Sequence, residues 1–167
     1  MAARTASNAA REAIALLIDQ KLSIATAESC TGGLVAGALS GVPGASETLY
    51  GGFITYSNQA KTRLIGVPAR MIRDHGAVSP QVARAMADGA RTTARTDVAI
   101  SVTGVAGPTG GSEKKPVGLV YFACATDKGT RVIEHRFGAV GRDLVRSKSV
   151  EAALELIIET LTAPPEN

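Results

Sequence analysis

The feature of this sequence that most constrains the fold is the alternation of short strand-like segments with longer segments of helical period. Apolar residues recur at helical spacing over 7–20 and over 34–42. Residues 22–27 lie between these two segments, and their larger and smaller side chains alternate with the two-residue period of a short strand. Further β-forming segments occupy 49–56 and 98–103. Strands and helices that succeed one another in this way are typical of α/β domains.

The rest of the chain adds helices and a hairpin. Pro68 and Pro80 stand where the first turn of a helix tolerates proline, and Asp127-Lys-Gly129 is a hairpin turn signal. The further predicted elements are helices at 58–65, 68–74, 80–95 and 141–161 and strands at 117–125 and 130–137. The pattern shows no repeat and no linker. It predicts one domain over 1–167, a layered α/β/α sandwich with a mixed β-sheet whose strand order is left open.

Composition excludes several classes of protein. The chain is 45% hydrophobic and 20% charged, which is typical of a folded globular domain. No window reaches the ~18 consecutive apolar residues of a membrane span, and the first residues lack the apolar run of a signal peptide, so we expect a cytoplasmic protein without a membrane partner. The cysteines and histidines show no metal-ligand spacing, so no metal and no cofactor are predicted. These residues are Cys30, Cys124, His75 and His135.

The charge pattern favours a small anionic ligand over a nucleic acid. The net charge is only +3, yet bases dominate residues 61–95, whereas residues 151–167 carry acids and no base. The chain has no Trp and only 4% aromatic residues, which leaves little surface on which bases can stack. Solvated helix faces are the alternative explanation for most of the basic side chains.

The strongest local motif is Glu28-Ser-Cys-Thr-Gly-Gly33, where a strand ends in hydroxyl and small residues just before a helix. The three amides after Cys30 can bind a phosphate or a developing oxyanion at such a helix start. The alternative is that Ser29 or Thr31 only caps the helix. Cys30 itself is either a thiol nucleophile activated by the helix start or a buried structural cysteine.

The segment Tyr56-Ser-Asn-Gln-Ala-Lys61 brings a phenol at a strand end and an amine from the turn that follows. A lysine that burial or positive neighbours keep neutral can take the proton of a serine hydroxyl. The alternatives are a solvated Lys61 and a Tyr56 that packs in the core with its hydroxyl in water.

Two further segments suit the remainder of a ligand. Thr103-Gly104 ends a strand and opens a Gly-rich and Pro-rich loop, which matches no phosphate-binding fingerprint but can wrap a ring or a sugar unless it is simply flexible. Arg142 and Arg146 lie one helical turn apart near a helix start, which suits a phosphate. Pairing with surface acids such as Asp143 is the alternative for these arginines.

Taken together, five motifs resemble those of the CinA C-terminal domain family. They are Ala27-Glu-Ser-Cys-Thr-Gly-Gly33, Tyr56-Ser-Asn-Gln-Ala-Lys61, Gly76-Ala-Val-Ser79, Val102-Thr-Gly-Val-Ala-Gly-Pro108 and Lys115-Pro-Val-Gly118. The resemblance covers residues 8–162. Over this length the chain is similar to the stand-alone nicotinamide mononucleotide amidohydrolase type of the family. Val105, where many relatives have Ile, is a conservative departure that leaves the reactive motifs intact.

The resemblance implies a metal-free hydrolysis of the carboxamide of nicotinamide mononucleotide, which yields nicotinate mononucleotide and ammonia. It implies Ser29 as the nucleophile, Lys61 as its general base and Tyr56 beside them, and it implies a homodimer. The substrate-binding residues predicted with them are Thr31, Gly32, Gly33, Ser46, Asn58, Thr103, Gly104 and Arg142. A second function stays open: the same pocket would serve a non-catalytic module that binds or senses pyridine nucleotides in a competence or DNA-damage pathway.

Overall fold

The computed structural model describes residues 5–164, so residues 1–4 and 165–167 of the predicted domain lie outside the description. The elements are α1 (Ala6–Asp19), β1 (Ile24–Glu28), α2 (Leu34–Ser40), a 3-10 turn (Ala45–Glu47), β2 (Leu49–Ile54), α3 (Asn58–Ile65), α4 (Ala69–His75), α5 (Pro80–Ala94), β3 (Val98–Gly104), β4 (Leu119–Thr126), β5 (Gly129–Arg136) and α6 (Arg142–Thr162). Every helix and strand predicted from the sequence is present within a few residues of its expected bounds.

The five strands form one mixed sheet in the order β2-β1-β3-β4-β5. β1 lies between β2 and β3 and runs parallel to both, whereas β4 pairs antiparallel with β3 and β5 pairs antiparallel with β4. This order, which the sequence left open, brings the carboxyl ends of β1, β2 and β3 to one edge of the sheet.

Helices cover both faces of the sheet. Val98, Ile100 and Val102 of β3 face a core that α1, α2 and α6 close. Ala99 on the same strand faces the opposite way, into a core formed with α5 and the segment around Ile65. The alternation along β3 therefore builds two hydrophobic layers, and the predicted α/β/α sandwich is confirmed.

Local hydrogen bonds fix the starts of the helices that matter for the site. Ser57 caps α3 because its Oγ accepts from the amide of Ala60 at 3.0 Å. Ser79 caps α5 in the same way by accepting from Val82 at 3.2 Å. Gly66 ends α3 in the left-handed region, where glycine is favoured. Within residues 5–164, no helix combines the length and apolar character that a bilayer crossing requires.

Candidate active site

Ser29 and Lys61 meet at the carboxyl edge of the parallel strands. Ser29 directly follows β1, and its amide donates to Val102 O at 2.9 Å, which holds the residue against β3. Lys61 projects from the first turns of α3, and its Nζ lies 3.1 Å from Ser29 Oγ. The pairing of β1 with β2 determines this contact, because α3 follows β2 directly.

The amine of Lys61 is enclosed by protein. The side chain is only 1% exposed, and Nζ also donates to the main-chain oxygens of Thr55 at 2.8 Å and Tyr56 at 3.3 Å. Burial lowers the pKa of Lys61 from 10.5 to about 8, although the nearby Cys30 thiol acts in the opposite direction. Roughly a tenth of this amine is therefore neutral at pH 7, and the neutral amine is the form that a base requires.

Tyr56 reaches the site through two different groups. Its main-chain oxygen accepts from Lys61, whereas its phenol oxygen accepts from Arg142 Nη2 at 2.8 Å. The ring is 58% exposed and stands at the rim of the pocket. Its position connects the lysine with the first turn of α6.

The carboxylate of Glu28, for which the sequence predicts no functional role, is buried and organises the turn after β1. Glu28 is 1% exposed, and its two oxygens accept from the amides of Val35 and Ala36 at 2.8 and 3.0 Å. The same carboxylate accepts from the hydroxyls of Thr31 at 2.7 Å and Thr26 at 3.2 Å. The start of α2 thus already holds an anion that the protein itself provides. The available signal was an acid at the end of a strand that carries no other charged residue.

This arrangement narrows the choice of amides for an oxyanion. The amide of Gly32 donates to Ser29 O at 3.1 Å and is occupied. In the described part of the chain, the amides of Cys30, Thr31 and Gly33 donate to no other residue. Of these residues only Cys30 lines the pocket beside Ser29. The amide of Cys30 is therefore the best-placed donor for an oxyanion at Ser29.

A pocket of about 290 Å³ opens over Ser29 and Lys61. This volume lies at the lower end of the roughly 300–1,000 Å³ typical of small-molecule sites. Its lining includes the predicted ligand contacts Asn58, Thr103, Gly104 and Arg142, together with Ala77, Val78, Val105, Ala106 and the loop at Gly107, Thr109 and Gly110. The Thr103 hydroxyl donates to Ala77 O at 2.8 Å, so it ties β3 to the turn before α5.

Four of the predicted binding residues lie outside the pocket lining. Thr31 is buried with its hydroxyl on Glu28, and Gly32 and Gly33 form the turn behind Ser29. Ser46 requires a correction. It is exposed in the 3-10 turn before β2, at the amino ends of the parallel strands, whereas the pocket lies at their carboxyl ends. Within one copy of the chain, Ser46 therefore lies away from the pocket.

Cys30 lies beside Ser29 in the pocket lining. It is 5% exposed, and burial raises the pKa of its thiol from 9.0 to about 11, although Lys61 and Arg146 act in the opposite direction. A thiol with this pKa holds little thiolate near neutral pH, which makes Cys30 a poor nucleophile. In residues 5–164, no group of three or more His, Cys, Asp or Glu side chains is arranged to hold a metal ion.

Comparison with known proteins identifies close relatives. The family model of the CinA C-terminal domain matches residues 6–161. A CinA-like protein of Syntrophobacter fumaroxidans is 52% identical over 139 residues, which are 83% of this chain and 32% of that protein. The chain spans about a third of the length of the curated relatives that it matches.

Solved structures share the fold closely. The competence/damage inducible protein CihA of Agrobacterium tumefaciens is 44% identical with a TM-score of 0.88, over 93% of this chain and 94% of that one. The competence damage-inducible protein A of Klebsiella pneumoniae is 32% identical with a TM-score of 0.92, over 97% of this chain and 100% of that one. The architecture described above is therefore that of solved relatives over nearly their whole length.

Proposed function

The chain belongs to the CinA C-terminal domain family, and we propose that it is an amidase that hydrolyses the carboxamide of nicotinamide mononucleotide. The products are nicotinate mononucleotide and ammonia, so the role is pyridine-nucleotide salvage. The observation that carries the proposal is the 3.1 Å contact between Ser29 Oγ and the buried Lys61 Nζ. A serine and a neutral lysine at this distance form the nucleophile and base of an acyl-transfer site.

The surroundings of Lys61 accommodate both of its protonation states, since as an ammonium it donates to Ser29 Oγ, Thr55 O and Tyr56 O. A neutral amine has two N–H groups, and the oxygens of Thr55 and Tyr56 accept both. Its lone pair is then left for the hydroxyl proton of Ser29. The two carbonyls therefore orient the amine, and burial keeps its pKa low enough for the neutral form to be populated.

The first half of the reaction forms an acyl-enzyme. Ser29 Oγ attacks the amide carbon while Lys61 takes the hydroxyl proton, and the carbonyl electrons move to oxygen, which becomes an oxyanion. When that tetrahedral intermediate collapses, the carbon–nitrogen bond breaks and Lys61 passes its proton to the leaving nitrogen. Ammonia departs, and the nicotinoyl group remains on Ser29 as an ester.

The second half repeats these steps with water. Lys61, neutral again, takes a proton from water as the hydroxide oxygen attacks the ester carbon. Collapse of this intermediate breaks the bond to Ser29 Oγ, which recovers a proton from Lys61. Nicotinate mononucleotide leaves, and both side chains return to their starting states.

The pocket also suggests how the nucleotide lies. Glu28 occupies the start of α2, so that helix end is not available to the substrate phosphate. Arg142 at the rim uses Nη1 for Gly107 O at 2.9 Å and Nη2 for the Tyr56 hydroxyl, and its guanidinium has further N–H groups to donate. We therefore place the carboxamide at Ser29 and the phosphate towards Arg142.

A homodimer is part of this proposal. Tyr50 and Ile54 on the edge strand β2 are 66% and 55% exposed, and Leu34 at the start of α2 is 43% exposed. Apolar side chains exposed along a sheet edge are suited to association with a second copy. Sedimentation equilibrium should give twice the monomer mass, and a monomer at all concentrations would contradict this part.

The second candidate is a module that binds or senses pyridine nucleotides without turnover. The competence-damage names of the relatives favour this alternative. It uses the same pocket but makes no demand on Lys61 as a base. It predicts binding with a stoichiometry of one and no product.

Ammonia release from nicotinamide mononucleotide tests the proposal directly. Purified protein in a chelator should release ammonia, Ser29→Ala should bind the nucleotide without turnover, and Ser40→Ala, an exposed serine on α2, should behave as wild type. Release that persists in Ser29→Ala would overturn the dyad. Folded wild-type protein that binds without releasing ammonia would favour the sensing module.

A further inference from the structure

Arg146 contacts the nucleophile turn, residues 29–33, from a distant helix. It lies in the second turn of α6, and its Nε donates to Cys30 O at 3.1 Å while Nη2 approaches Thr31 O at 3.4 Å. Unlike Arg142, it does not line the pocket. The Arg146 guanidinium is half-buried and donates to two consecutive main-chain oxygens. No step of the proposed reaction involves these two hydrogen bonds.

The first of these bonds acts on the amide of Thr31. Cys30 C=O and Thr31 N–H belong to the same peptide group. A hydrogen bond from a cation to the oxygen of a peptide makes its N–H a stronger donor, because successive hydrogen bonds polarise one another. The Thr31 amide donates to no other described residue, and it lies in the buried part of the turn directly behind Cys30.

The second bond reaches the amide of Cys30 through one further peptide. Thr31 C=O shares its peptide with Gly32 N–H, which donates to Ser29 O at 3.1 Å. Ser29 C=O in turn shares its peptide with Cys30 N–H. Two short series of polarised peptides thus begin at Arg146 and end at the two amides that directly follow the nucleophile.

We propose that Arg146 is a positioning residue that holds the turn and polarises its peptides, so that the amide of Cys30, which lines the pocket, binds the oxyanion formed at Ser29. The inference rests on the proposed acyl-transfer function, which it deepens. Arg146 itself touches neither substrate nor reacting atoms. Its effect passes through the main chain of the nucleophile turn.

The charge of Glu28 gives a second reason for a cation here. Its buried carboxylate accepts from the Thr31 hydroxyl at 2.7 Å, so a negative charge lies directly behind the turn. A developing oxyanion in front of the turn would be repelled by that charge. Arg146 donates to the main-chain oxygen of Thr31, and its positive charge offsets this repulsion. Its field does reach the turn, since it acts to lower the pKa of the Cys30 thiol.

The test compares the binding of a tetrahedral adduct on Ser29 with the binding of the unreacted nucleotide. Arg146→Gln, Arg146→Lys and wild type are titrated with 3-pyridylboronic acid, whose boron forms a tetrahedral anion on the serine oxygen. Nicotinamide mononucleotide binding is measured in parallel in the Ser29→Ala background. Arg131→Gln, an arginine on β5 that pairs with Glu159, is the matched control.

We expect Arg146→Gln to weaken the boronic acid and to lower kcat by roughly tenfold to a hundredfold, below the ~10²–10³ lost with a whole oxyanion donor. KM and nucleotide binding should change less than twofold, and Arg146→Lys should recover part of the loss. Arg131→Gln should match wild type.

Two results would overturn the proposal. One is an Arg146→Gln protein with normal melting behaviour that binds the boronic acid as wild type does. The other is a wild-type protein that forms no boronate adduct. Boronate binding sensitive to Arg146 but without ammonia release would instead refute the nicotinamide substrate and leave the role of Arg146 intact.

Discussion

Lys61 Nζ lies 3.1 Å from Ser29 Oγ, although 32 positions separate the two residues in the chain. The contact depends on the parallel pairing of β1 with β2, which brings the end of one strand beside the start of α3. The amine is 1% exposed, and in the part of the chain that the structure describes it donates only to uncharged oxygens, so burial keeps its pKa low. The fold thereby brings the Ser29 hydroxyl to an amine whose pKa is lowered by burial.

The rate should depend on pH through Lys61. Its pKa is lowered to about 8, and only the neutral amine accepts the Ser29 proton, so kcat/KM should fall about tenfold per pH unit below that value and level off above it. A pH–rate profile from 6 to 10 measures this. Lys61→Arg, which stays protonated, should be inactive throughout. A flat profile in the wild-type protein would contradict a lysine base.

The same lowered pKa predicts a pH-dependent stability. The unfolded lysine, with a pKa of 10.5, binds more protons than the folded one between pH 8 and 10.5, so stability should rise with pH across that window. The gain is on the order of 3 kcal/mol at most. Relative to Lys61→Met, the wild-type protein should gain this stability between pH 7 and pH 10. Urea denaturation of both proteins measures it, and parallel pH profiles would disprove the assignment.

Much of this fold can be predicted from local sequence pattern, but the site can be predicted only in part. The turn after β1 and the hairpin at Gly129 are encoded by nearby residues, and both form as expected. Local sequence patterns do not determine the order of the strands in the sheet. The distance between Ser29 and Lys61 could therefore not be predicted from them. Ser46 was misplaced for the same reason, since only the sheet shows which strand ends meet.

The role of Glu28 illustrates a different limit. An acid in a motif suggests chemistry, yet this carboxylate accepts hydrogen bonds from four donors of its own chain. Its position behind the turn, rather than in the pocket, depends on the packing of α2 against β1. The main-chain partner of Gly32 likewise appears only in three dimensions.

Removal of the Glu28 charge should weaken both fold and activity. Glu28→Gln replaces one acceptor oxygen by an amide donor, which leaves the amide of Val35 or Ala36 unpaired in a buried place. We expect a loss of about 1–3 kcal/mol in unfolding free energy, together with a lower kcat because the turn loosens. Glu47→Gln, an exposed acid before β2, is the matched control and should change neither quantity. Equal stability of the two variants would contradict this account.

Cys30 should prove dispensable for turnover. Burial raises the pKa of its thiol to about 11, so it holds little thiolate, and its side chain packs in the core beside α2. Cys30→Ala should keep kcat within a few-fold of wild type and lose about 1 kcal/mol of stability through the small cavity. Steady-state kinetics and thermal denaturation check the two parts. An inactive but folded Cys30→Ala protein would indicate that Cys30, and not Ser29, is the nucleophile.

Arg142 should determine whether the phosphate of the substrate matters. Its guanidinium stands at the pocket rim, held by Gly107 O and the Tyr56 hydroxyl, with donors left for an anion. Arg142→Gln should raise KM for nicotinamide mononucleotide at least tenfold, which corresponds to about 1.4 kcal/mol, and should leave the riboside, which has no phosphate, nearly unaffected. The two substrates are compared by kcat/KM in both proteins. An equal loss for nucleotide and riboside would mean that Arg142 acts by holding Tyr56 and the loop at Gly107, and the phosphate would then bind elsewhere on the pocket rim.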